Sequence, residues 1–380
     1  MTDHALKSQE LRRRQRLIQT VRLGLPVVLV VVAAFVVAAG VRDPQVLAPS
    51  ARQRLAASES EGAFSLSALH MRLPPEAMRQ VQRHIEYFQR VQPGRITDGL
   101  GRSSKYMDTF RKIFESKGLP GELAYLPLVE SGFMETAVSP AQAAGIWQFI
   151  EDTGRRYNLQ RTAWSDQRLD PIKSAEAAAT LLQHLFLRFK NWELALAAYN
   201  SGQGTVDWAI KTNLREKKGT DFWSLDLPEE TTAYVPTFIA AVVIAKNPEA
   251  FGFKNIRFQP KLSFDEIKVT PGTALDEVAN ELELSQETLW ELNPTLILGT
   301  VPPGDKPYQI RVPTGVRKGV PGKISAVGPL KDWVLHRVAE TDTVEVLASR
   351  FRSKSQSILE VNKLSGDADL STRTFVLIPL

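Results

Sequence analysis

Two stretches near the C-terminus follow one pattern, and a duplicated unit restricts the possible folds more than any composition figure does. Val269 and Asn293 lie 24 residues apart, and so do Val338 and Asn362. In each copy a short β-like entry (264–269, 333–338) leads into a Thr-containing turn and a helical stretch, ELELSQETLWELN or SRFRSKSQSILEVN. Each copy then closes on a β-like run ending at Pro313 or Pro379. A β-α-α-β order recurring over roughly 50 residues marks an internal repeat. It predicts two small βααβ domains, 262–315 and 332–380, separated by a spacer with several Gly, Pro and Lys residues.

Upstream the texture differs. Between 64 and 248 apolar residues recur at three and four, as in Val81, Ile85 and Phe88 or Phe110, Ile113 and Phe114, which is the period of amphipathic helices. Asp170 followed by Pro171 reads as an N-cap and a first helical residue. The run 174–189 sets Ala175, Ala178, Ala179, Leu182, Leu185 and Phe186 on one stripe and predicts a central, largely buried helix. His184 falls within that run and is expected to be a satisfied core histidine. No strand-rich block interrupts the region, so residues 64–255 are expected to form one all-α domain, and the whole chain is mainly α.

The N-terminus reads as a membrane anchor. Residues 23–41, LGLPVVLVVVAAFVVAAGV, carry no charge and no polar face. As a helix they would span about 28 Å, close to a hydrocarbon core of roughly 30 Å. Residues 1–22 hold Lys7, Arg12, Arg13, Arg14, Arg16 and Arg22 against Asp3 and Glu10. Such a basic flank stays cytoplasmic, which sends the rest of the single-pass chain outward. A cleaved signal ending near the small residues Ala38 to Gly40 is a competing reading, although signal cores usually run only about 7–15 residues. A buried core helix is a third. Residues 42–63 are small and polar and read as a linker.

The same basic cluster supplies most of the formal net charge of +5, so a nucleic-acid footprint is not indicated. The absence of cysteine removes disulfides, thiolate metal sites, Cys nucleophiles and lipid attachment through a Cys. The five histidines stand in dissimilar contexts, and neither a metal site nor a cofactor is expected.

Acid–base chemistry is concentrated in GLPGELAYLPLVESGF, residues 118–133. Pro120 can start a helix, Pro127 should interrupt it, and Gly132 is placed to end it in a left-handed conformation. Glu130 then closes a segment whose neighbours Leu123, Leu126, Leu128 and Val129 cannot solvate a charge. Burial of this kind raises a carboxyl pKa and keeps the group protonated near neutral pH, as a general acid must be. A helix-end glutamate paired with an arginine is the plain structural alternative.

Three further segments follow: SPAQAAGIWQF (139–149), LALAAYNSGQG (194–204) and LPEETTAYVP (227–236). With VESGF, their order and spacing resemble the lytic murein transglycosylases of the goose-lysozyme-like superfamily, and most of all the membrane-bound lytic murein transglycosylase D subgroup. The likeness runs from about residue 73 to 251, and the repeated units beyond it resemble LysM modules. It implies a lysozyme-like fold with Glu130 as the catalytic glutamate and Ser131 completing the ES pair. Ser139 and Gln148 would face the cleft and the sugar's N-acetyl group, Tyr199 and Asn200 would form the cleft floor, and Tyr234 would hydrogen-bond the glutamate. Trp147, Phe149 and Tyr199 read equally well as core. The LysM likeness implies binding of N-acetylglucosamine-containing glycan, with Asn293 and Asn362 matching the family's asparagine, whose other role is turn formation. The family's GDT turn reads Pro271-Gly272-Thr273 in the first unit and Thr341-Asp342-Thr343 in the second, which lacks the glycine that eases a positive φ.

An ordinary glycosidase works with two carboxyls roughly 5–10 Å apart. These motifs offer no obvious second acid, since Asp166 and Asp170 in WSDQRLDP read as helix caps with an Arg168 pair. The substrate implied by the resemblance, peptidoglycan, supplies the missing help through the acetamido group of its muramoyl sugar. Glu130 would act first as acid and then as base, leaving a 1,6-anhydromuramoyl end without consuming water. The implied partners are peptidoglycan glycan strands and a membrane, with the catalytic and LysM-like domains in the periplasm outside a bacterial inner membrane. Members of the subgroup are often lipoproteins attached through an N-terminal Cys, and the 23–41 span would take over that anchoring. A hydrolase on the same fold and a non-catalytic wall-binding scaffold remain as alternatives.

Overall fold

A computed structural model describes residues 73–302 continuously, almost all of 304–316 and most of 333–379. The expected basic segment 1–22, membrane span 23–41 and linker 42–63 lie outside the described residues. Among the described residues no helix is long and apolar enough to cross a membrane. Two compact units divide the chain, one holding 171–261 with the chain before 160, the other holding 160–170 with 262–380.

The first unit is helical. α1 (Pro75–Arg90), α2 (Pro93–Ser103) and α3 (Met107–Ser116) lead to a 3-10 turn (Gly121–Tyr125) and the one-turn α4 (Pro127–Glu130). After a loop come α5 (Glu151–Arg156), α6 (Pro171–Phe189), α7 (Trp192–Ser201), α8 (Gln203–Arg215) and α9 (Glu229–Lys246). Proline opens α1, α2, α4 and α6, where its missing N–H forfeits no helical bond. Asn191 caps α7 by accepting from Leu194 N–H at 2.8 Å.

Helix α6 buries the expected stripe, Ala175, Ala178, Ala179, Leu182 and Leu185. The most enclosed helix is α9, in which every residue from Tyr234 to Ile244 is buried. A helix apolar all round needs neighbours all round, and α1, α4 and α7 pack against it. His184 is not the core residue expected. It lies two positions from Leu182, about 200° round a helix of 3.6 residues per turn, and so turns to the exposed side of α6.

In the second unit the β-α-α-β order appears twice. The first copy runs β1 (Asp265–Val269), α10 (Leu275–Glu281), α11 (Gln286–Leu292) and β2 (Tyr308–Val312); the second runs β3 (Trp333–Arg337), α12 (Val344–Phe351), α13 (Ser355–Asn362) and β4 (Phe375–Pro379). Each strand pair is antiparallel, with Ile267 opposite Ile310 in one and Val334 opposite Ile378 in the other. Alternate strand residues point inward, so Ile267, Val269, Ile310 and Val312 cover Leu275, Val278 and Leu289. The second core is built likewise from Val344, Leu347, Ile358, Val376 and Ile378.

Asn293 and Asn362, expected to meet glycan, are used up inside these small domains. Asn293 Nδ2 donates to Leu289 O at 2.9 Å and Arg311 O at 2.8 Å, and its Oδ1 accepts from Arg311 N–H at 2.8 Å. Asn362 repeats the arrangement with Ile358 O at 2.8 Å, Leu377 O at 2.6 Å and Leu377 N–H at 2.8 Å. Both amide hydrogens are committed to carbonyls, so each asparagine fastens a helix end to the closing strand. Replacing Asn293 by Ala strands the Arg311 N–H and carbonyl, while Leu289 O keeps the backbone N–H of residue 293 at 3.1 Å, and is expected to destabilise the unit by about 2 kcal/mol. The check is a lower denaturation midpoint with glycan binding unchanged below it. Gly272 takes φ +84° in the first turn. In the second, the buried Asp342 carboxylate accepts from Ala339 N–H at 2.7 Å and pairs with His336 Nε2 at 2.7 Å, a different way of holding the same bend.

Candidate active site

Glu130 sits at a sharply bent junction. Pro127 separates the 3-10 turn from α4, and the short helix is closed when Ser131 N–H and Phe133 N–H both donate to Pro127 O, at 3.0 and 3.2 Å. Gly132 and Phe133 then both take φ +60°. The glycine does so freely. Phe133 is held there by burial against Phe110, whose ring centroid is 6.2 Å away. Two arginines of α2 secure the bend from outside, Arg95 Nη2 donating to Val129 O at 2.6 Å and Arg102 Nε to Gly132 O at 2.7 Å.

This junction forms part of the wall of a cavity of about 810 Å³. Glu130 faces into it, and Tyr234 O–H from α9 donates to Glu130 Oε1. Burial pushes the Glu130 carboxyl up to about 7, although the Tyr234 hydrogen bond and the Arg95 charge pull the other way; Glu230 adds to the rise. Both Tyr234 and Tyr199 are pushed well above the usual phenol range by burial, with the Glu130 charge adding to it. They therefore remain hydrogen-bond donors, and Tyr199 O–H donates to Trp147 O at 2.8 Å.

Ser139, Gln148, Tyr199, Asn200 and Tyr234 all line the same cavity as Glu130. Ser139 Oγ accepts from Ala143 N–H at 2.9 Å and so shapes the loop as well as facing the cleft. Gln148, at φ +50°, donates from Nε2 to Gly145 O at 2.8 Å and Ala137 O at 3.2 Å. Its Oε1 is buried without a hydrogen-bond partner in the protein. Ser131 departs from the expectation. It is 2 % exposed, does not line the cavity, and donates to Ile146 O at 2.8 Å. One residue beyond Glu130, it braces the neighbouring loop. Trp147 is core, fully buried with ring centroids 5.2 Å from Phe110 and 5.4 Å from Phe114.

Three residues that the motif reading did not assign to the site also line this cavity. Arg95 comes from α2, and no local pattern marks it; only packing brings it to Glu130. Glu230 lies four residues before Tyr234, and helical spacing alone would have put the two on one face. His184 also lines it, its Nδ1 3.3 Å from Tyr157 Oη.

A helical domain with Glu130 at the wall of a cavity of about 810 Å³, in a chain that also carries two βααβ modules, places the first unit in the class of lysozyme-like domains. Family comparison agrees: residues 110–222 match the Transglycosylase SLT domain, 263–321 match the Lytic transglycosylase MltD, LysM-like domain, and 336–379 match the LysM domain. The chain thus carries an SLT domain followed by LysM-like modules, and it is similar to membrane-bound lytic murein transglycosylase D. It is 35 % identical to that protein from Escherichia coli (strain K12) over 279 residues, 70 % of this chain and 61 % of the relative, with the same figures for the protein of strain O6:H1. The chain thus spans about 61 % of the length of those relatives. A putative tributyltin chloride resistance protein of Alteromonas sp. (strain M-1) is 32 % identical over 149 residues, 39 % of this chain and 72 % of the relative.

Proposed function

We propose that the protein is a peptidoglycan lytic transglycosylase, cleaving the β-1,4 bond between N-acetylmuramic acid and N-acetylglucosamine and leaving a 1,6-anhydromuramoyl end. The observation that carries this reading is Glu130, a carboxyl lifted to about 7 at the wall of a deep cavity. Protonated, it gives its proton to the glycosidic oxygen as the bond to C1 breaks and the acetamido oxygen closes on C1. As a carboxylate, it takes the proton of the 6-hydroxyl, whose oxygen bonds to C1 as the acetamido oxygen leaves. One group serves in both directions because its pKa lies near working pH. Ring closure is intramolecular and gains the proximity advantage that an incoming water lacks.

Around this step Tyr234 orients the carboxyl, and Gln148 lines the cleft beside it. Ser139, Tyr199 and Asn200 shape the cleft that holds the glycan strand. On this reading residues 64–255 are the catalytic domain, 262–315 and 332–380 are LysM-like glycan-binding domains, and 23–41 anchors them in the periplasm at the inner membrane, with 1–22 cytoplasmic. A weak module tethered to the enzyme acts at high effective concentration along a polymer.

The test is mass spectrometry of the products released from sacculi by the full-length chain in detergent. The expected muropeptides are lighter by one water than their hydrolysed counterparts. Reducing muramic acid ends would reassign the protein as a hydrolase, and no release at all would leave a wall-binding scaffold.

A further inference from the structure

The cavity holds a second carboxylate. Glu230, in the first turn of α9, lines it together with Glu130 and Tyr234. Its position is built, not incidental: Asn200 Nδ2 donates to Glu230 Oε1 at 3.2 Å, and Asn200 Oδ1 accepts from Thr231 Oγ1 at 2.8 Å. Thr231 is 1 % exposed and lies behind the cavity wall, so this chain of hydrogen bonds is rooted in the core. The charged groups bearing on Glu130 are then Arg95 from α2 and Glu230 from α9, with Tyr199 and Tyr234 as neutral phenols in the same cavity. Arg156 and His184 belong to the same cavity.

We propose that the Thr231–Asn200–Glu230 chain is a positioning device for the reaction, fixing a second carboxylate in the cavity of Glu130, where it favours the protonated acid before the bond breaks and the positively charged sugar while it breaks. The inference rests on the transglycosylase reading above. Glu230 forms no bond; its part is electrostatic. Like charges sharing a cleft disfavour each other, and Glu230 raises Glu130 accordingly. The same repulsion makes Glu130 the stronger base for the 6-hydroxyl proton. Attraction to the cationic sugar grows only as charge develops at C1, so it lowers the barrier without tightening substrate binding. That distinguishes Glu230 from an ordinary subsite contact, which would act through KM.

The experiment measures kcat and KM of the full-length protein on soluble glycan strands from about pH 4 to about pH 9. Glu230→Gln is expected to lower kcat about tenfold with KM within about twofold, and to move the alkaline limb of the rate to lower pH. Thr231→Val should change both in the same direction by less, because it only loosens Asn200; Thr231→Ser, which keeps the hydroxyl, should restore them. An unchanged kcat and alkaline limb in Glu230→Gln, or a loss confined to KM, overturns the inference. Glu130→Gln run alongside separates the two readings. Its inactivity sustains the catalytic reading whatever Glu230 does, whereas turnover by Glu130→Gln removes the ground beneath both.

Discussion

Glu130→Gln lowers turnover of glycan strands by about 10³-fold or more, with the protein still folded. The amide has the shape of the protonated carboxyl and can accept the Tyr234 hydrogen bond, so the cavity loses neither packing nor its hydrogen bond. It cannot give a proton to the glycosidic oxygen, and it cannot take one from the 6-hydroxyl. Both half-reactions fail together, which is why the loss should sit near the upper part of the range for a single acid–base group. The comparison is initial rate of product release at about pH 6, with circular dichroism showing an intact fold. Residual turnover within tenfold of the parent would mean that Glu130 does not carry the proton.

The same substitution should reverse its effect on stability with pH. Glu130 is raised from 4.5 in the unfolded chain to about 7 in the folded one. The folded state therefore prefers the protonated carboxyl, and stability from this group is full below about 4.5 and is lost as pH rises through about 7. Converted at about 1.4 kcal/mol per pH unit, the loss approaches about 3 kcal/mol. A glutamine does not titrate and escapes it. Glu130→Gln should thus match the parent near pH 4.5 and exceed it in stability above pH 7, read from urea midpoints of the two proteins across that range. His84, held down to about 4 chiefly by burial and next by Arg83, loses stability as pH falls through the acid range, but both proteins share it and the difference cancels it. A parallel pair of curves would show that Glu130 is solvated and would undercut its role as an acid at neutral pH.

Local pattern accounts for a good part of what the chain builds. Pro127 before Glu130 and Gly132 after it determine a one-turn helix ended by a left-handed residue, because proline and glycine act through their own backbone sterics. The duplicated spacing of Val269 to Asn293 and Val338 to Asn362 determines two βααβ units in the same way, through strand alternation and short amphipathic helices. His184 lies in an apolar run and yet turns to the exposed side of its helix, because a residue's place in such a run does not say which way it faces. Asn293 and Asn362 were assigned to glycan on likeness, while their partners, Arg311 and Leu377, lie 18 and 15 residues further on.

What the sequence determined by itself was the set of local conformations and the presence of one poorly solvated carboxyl, since both follow from neighbours within a turn or two. The pairing of Glu130 with Tyr234 across 104 residues, and the arrival of Arg95 and Glu230 in the same cavity, were decided only by tertiary packing. A pKa is set by burial and by charges a few ångströms away in space, and distance in space is the quantity that a linear order of residues does not contain.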